Sequence, residues 1–92
     1  MTLIEIIRGI GEVDSTGTIY AKRPWRTDSP AVVLPEDEVP HGNAEEVASG
    51  MSYFIEVFIA KEFLSDLELL GDKFPSIESR TVRLIEYATN DA

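Results

Sequence analysis

The chain contains no cysteine, which excludes disulfides, thiolate metal sites and a cysteine nucleophile. Small secreted domains usually depend on such staples, so a reducing compartment, the cytoplasm, is the expectation. Histidine is nearly absent as well. His41 stands alone, whereas zinc sites need several nitrogen or sulfur ligands at fixed spacing, and a serine or threonine nucleophile needs a base oriented by a third group. No Gly-x-Ser-x-Gly elbow occurs, and Gly9 and Gly11 follow a helical pattern with no third glycine to complete a phosphate-binding fingerprint. No catalytic residue, metal or cofactor is therefore expected. Cations are also scarce, with 8 Lys and Arg against 17 Asp and Glu, a net charge of −9. Such a field repels phosphate backbones and anionic lipid, which argues against direct nucleic-acid binding and membrane-surface binding. No apolar run is long enough to cross a bilayer, and Met1 to Ile10 carries Glu5 without the basic head of an export signal.

What is present suits one globular domain over residues 1–92. A composition of 43% hydrophobic and 27% charged residues supports one packed core at this length, and not two. Thr2 and Glu5 have capping-box spacing, and Leu3, Ile6, Ile7 and Ile10 share a helical face, with Gly9 or Gly11 offered as a left-handed terminator. Alternation predicts a half-buried strand at Thr18 to Lys22, ended by Pro24, and a second at Ala31 to Leu34, closed by Pro35. Glu36 to Gly50 has no sustained period and reads as a long surface loop.

Between Gly50 and Gly71 the hydrophobic phase changes. Ala60, Phe63, Leu64, Leu67 and Leu70 share one helical face, but extending that helix backward would place Glu56 among them. Met51 to Phe58 is accordingly predicted as a buried strand running into a helix. After Pro75, the stripe Ile77, Thr81, Leu84, Ile85 and Ala88 predicts a C-terminal helix. The sum is an α+β fold, a small antiparallel sheet of about three strands packed against two to three helices.

Two segments carry recognition chemistry. Glu36, Asp37, Glu38, Glu45 and Glu46 concentrate acid in the predicted loop. The segment Lys22, Arg23, Pro24, Trp25, Arg26 concentrates three of the eight basic residues around the only Trp. Arg and Trp are enriched at interface hot spots, yet a Trp beside a strand end more often folds back over the sheet edge, with its arginines paired to nearby acids. The second reading is favoured for Trp25, because one aromatic in a small core stabilises more when buried. Glu56 is expected on an exposed strand face; buried, it would need a cation such as Arg23 or Arg26.

The strings TIYAKRPW (18–25) and SYFIEVFIAKEFL (52–64) resemble those of a family of short bacterial open reading frames of unknown function. That resemblance implies a bacterial intracellular origin and assigns no site residue. Functionally, the composition favours binding over chemistry: an acidic protein-binding module, in its concrete form an inhibitor or immunity-type protein against a basic toxin or nuclease. Two alternatives stay open. One is a small enzyme or ligand-binding domain with a cleft built from Tyr53, Glu56 and His41, and the other is a homodimer formed through a sheet edge or the C-terminal helix.

Overall fold

The computed structural model describes residues 1–35, 37, 46–47 and 50–91, with 46, 47 and 91 described through the backbone. Helix α1 (Leu3–Arg8) begins where the capping box places it. The Glu5 N–H donates to Thr2 Oγ1, and the Thr2 N–H donates back to Glu5 Oε1 at 2.9 Å. The two donors that remain, Leu3 and Ile4 N–H, reach the Ser29 and Thr27 carbonyls, each at 2.8 Å. These bonds stitch the start of α1 to the loop ahead of β2, and Leu3, Ile6 and Ile7 enter the core. Gly9 caps the helix at φ −100° and not in the left-handed region, because the chain tightens directly into a 3-10 turn at Ile10–Glu12.

Strands β1 (Thr18–Ala21), β2 (Ala31–Leu34), β3 (Glu46–Val47) and β4 (Met51–Glu56) form one antiparallel sheet in the order β2-β1-β4-β3. The predicted surface loop thus contains a short strand: Glu46 pairs with Ser52 and Val47 with Met51. Gly50, at φ 72°, supplies the left-handed residue between the two. β1 ends at Ala21 and is buried along its whole length, where alternation predicts a half-buried strand. Its central place explains the difference, since β2 and β4 flank it on both sides.

Between Ile19↔Ile55 and Tyr20↔Tyr53 the register shifts, leaving Phe54 as an extra residue on β4. The bulge brings both Phe54 and Ile55 into the core beside Ile19, Ala21 and Ala31. By alternation Tyr20 lies on the opposite sheet face, with its ring edge-on to Tyr53 at 6.2 Å.

β4 stops at Glu56, two residues before the predicted end of the strand at Phe58, and α2 (Val57–Leu69) follows at once. Glu56 is the extended N-cap, so the helix never carries it onto the apolar face, in agreement with the change of phase. The Val57 N–H donates to the Gly17 carbonyl at 3.0 Å, fixing the junction. A Cβ on Gly17 would meet Val33 Cγ1 at 2.9 Å and the Leu34 carbonyl at 3.2 Å, so this close approach requires glycine. Val57, Ala60, Leu64 and Leu67 are buried and Phe63 half-buried, whereas Leu70, placed on the core face by periodicity, is the exposed C-cap.

Lys61 Nζ donates to the Val13 carbonyl at 2.6 Å and to Ser15 Oγ at 2.9 Å, tying α2 to the turn that precedes β1. A 3-10 turn at Gly71–Lys73 then leads to α3 (Ile77–Asp91). Ser76 and Ser79 exchange hydrogen bonds at its start. Thr81, Leu84 and Ala88 are buried on the predicted stripe, and Thr81 Oγ1 satisfies itself on the Ile77 carbonyl at 2.7 Å. Helices α1, α2 and α3 and the inner sheet face share one hydrophobic cluster, which makes the fold α+β with its layers arranged as expected.

Candidate functional site

The loop between β1 and β2 is a candidate whose backbone is held by its own hydrogen bonds. Lys22 N–H donates to the Pro30 carbonyl at 2.9 Å and closes the loop at its base. Buried Ser29 accepts the Arg26 N–H at 2.8 Å and donates to the Pro24 carbonyl at 3.2 Å; the Arg23–Pro24 peptide is cis. Trp25 turns inward, half-buried. Its Nε1–H donates to the Ala21 carbonyl at 3.2 Å, and its ring meets Phe54 edge-on at 4.9 Å. The Arg23 guanidinium lies 4.6 Å from the centre of that ring. Trp25 therefore folds back onto the sheet as expected, but against Ala21 and Phe54 of the interior strands β1 and β4 and not over a sheet edge. Its arginines behave differently: Arg23 stacks on the ring instead of pairing with an acid, and Arg23 and Arg26 are both exposed without an ion pair among the described residues.

Of the predicted acidic cluster, Glu36, Glu38 and Glu45 lie outside the described residues, as does His41. Asp37 is exposed, and Glu46 is placed through its backbone pairing alone. Tyr53 and Glu56 both belong to β4, Tyr53 exposed and Glu56 half-buried at the strand end. Among the described residues no group of acids and histidine has the arrangement of a metal site.

The described acids are spread over the surface. Glu62, Asp66 and Glu68 on α2, and Glu78 and Glu86 on α3, are all exposed. The one ion pair among the described residues joins Arg83 to Glu86 at 4.0 Å. Other cations are occupied elsewhere, Lys61 on the Val13 carbonyl and Arg80 Nε on the Phe74 carbonyl at 3.0 Å. Sequence reasoning sets Glu62, Asp66 and Glu68 opposite the apolar face of α2, but it leaves Phe58 off that surface by assigning it to a strand; the spacing of Phe58, Glu62 and Asp66 was the available signal.

Two exposed carboxylates titrate low. Hydrogen bonds from Thr2 hold Glu5 below its ordinary 4.5, and those from Thr16 hold Asp14 below 3.8. Depressed acids contribute stability that is present above the unfolded value and lost as pH falls through the folded one. Asp14→Asn retains an acceptor but cannot ionise. Its melting temperature is expected below that of the wild type at pH 7, with the gap closing as pH drops below 3.8. A gap of constant size across an acid titration series, followed by circular dichroism, would refute the assignment.

Comparison of the chain with protein-family models, with curated proteins and with solved structures finds no match. Fold and surface chemistry carry the functional reading.

Proposed function

We propose that this chain is a small acidic protein-binding module that captures a basic protein partner, in the manner of an inhibitor or immunity-type protein. The observation that supports it is an exposed acid surface little neutralised by ion pairs, with Arg83–Glu86 the one ion pair among the described residues of a chain of net charge −9. Unneutralised like charges repel one another within the folded chain. Facing a basic surface, the same charges steer encounter and discriminate against acidic competitors. No helix among the described residues is long and apolar enough to cross a membrane.

The test is affinity capture from the native host, followed by binding kinetics with the purified partner for wild type and for Glu36→Lys/Asp37→Lys/Glu38→Lys. The triple reversal moves the net charge from −9 to −9 + 6 = −3. Association with a basic partner is expected to slow by about tenfold at low salt, with the difference shrinking as screening rises. Melting should barely change. A captured partner that is acidic, or an association rate indifferent to both reversal and salt, overturns the reading.

A further inference from the structure

On α2, Phe58, Glu62, Ser65, Asp66 and Leu69 follow helical spacing on the side opposite the buried Ala60, Leu64 and Leu67. All five are exposed, Phe58 at 49% and Leu69 at 84%. Large apolar side chains thus stand at both ends of one stripe with two carboxylates between them. Their separation of 69 − 58 = 11 residues corresponds to about 16 Å along the axis. We infer that this stripe is the docking face for a basic amphipathic segment of a partner protein, its apolar side chains meeting Phe58 and Leu69 and its cations meeting Glu62 and Asp66. The inference rests on the basic-partner reading and adds the face that makes contact.

Charge selects the occupant. A second copy of this chain, packed helix against helix about a two-fold axis, would gather four carboxylates, Glu62 and Asp66 from each copy, into one seam. Lys61, the cation nearest to them in sequence on α2, is held by the Val13 carbonyl and Ser15. Desolvating unpaired carboxylates opposes such a dimer, whereas a basic segment neutralises them while covering both apolar anchors. Anchors buried at the centre of a contact chiefly set its lifetime, and charges remote from it set the encounter rate. Reversals at Glu36 to Glu38 and changes on α2 therefore have separable kinetic signatures.

The probe is a pair of synthetic helical peptides carrying Leu at two positions spaced as Phe58 and Leu69 are, with Lys between the leucines in one peptide and Glu in the other. Each is titrated into the isotope-labelled full chain and followed by amide NMR shifts. The Lys peptide is expected to move signals from Phe58 to Leu69, and the Glu peptide none. Phe58→Ala/Leu69→Ala and Glu62→Lys/Asp66→Lys should each weaken the Lys peptide by about tenfold. Both pairs are exposed, so the melt checks that folding is intact. Shifts confined to another surface overturn this docking face and leave the basic-partner reading standing. Equal binding of both peptides overturns the charge selection proposed for the stripe. No shift with either peptide also overturns the stripe, and the basic-partner reading is then judged separately by the host capture.

Discussion

Leu84→Ala is expected to lower the free energy of unfolding by about 2–5 kcal/mol, the range for emptying a buried leucine site. Leu84 is fully buried on α3, within the cluster that joins Leu3 and Ile7 of α1 to Leu64 of α2 and Ile19 of the sheet. The neighbours belong to different elements, each fixed by other contacts, so collapse around the missing methyls is restricted and a cavity remains. A domain of this length has about 5–14 kcal/mol of stability in all, so one substitution removes a large share. Glu68→Ala, exposed on α2, should stay within about 0.5 kcal/mol. Urea denaturation of both variants provides the check, with the slope of the transition confirming that each unfolds the same structure. Similar losses at the two positions would overturn the assignment of α3 as the helix that closes the core.

Legibility in the sequence followed the range of the interaction. The Thr2–Glu5 capping box and the α3 stripe depend on residues three or four apart, and both appear where their spacing places them. β1 shows what spacing does not contain: Thr18 and Tyr20 read as outward residues, yet both are buried in a strand flanked on either side. The Phe54 bulge and the Gly17–Val57 contact are long-range pairings with no local signature. Both bear on the end of β4, which is why the boundary there moved from Phe58 to Glu56. That shift changes the meaning of Phe58, which as a strand residue would belong to a buried run but as a helix residue turns outward beside Glu62. For the Trp25 loop, sequence reasoning foresaw the inward Trp. It offered acids as partners for Arg23, where the structure stacks that guanidinium on the indole ring.

Trp25→Ala is expected to cost about 2–4 kcal/mol, the lower part of the range for deleting a large aromatic, because the ring is only half-buried. The loss has identifiable parts. The edge-on contact with Phe54 contributes about 0.5–1.5 kcal/mol beyond area burial, and the Nε1 bond to the Ala21 carbonyl about 1 kcal/mol. Trp25→Phe keeps much of the ring and drops the donor, so it should retain more than half of the stability lost in the alanine variant. Arg23→Ala removes an exposed guanidinium from the ring face and should cost no more than about 1 kcal/mol. This ordering, Trp25→Ala then Trp25→Phe then Arg23→Ala, distinguishes a ring packed onto the interior strands from one displayed for a partner. It also dictates how the loop is tested for binding: Arg23→Glu/Arg26→Glu changes the exposed charge while leaving the indole and its anchors in place. If instead Trp25→Ala melts with the wild type but no longer holds the captured partner, the ring belongs to the interface and its role in packing onto the sheet is refuted.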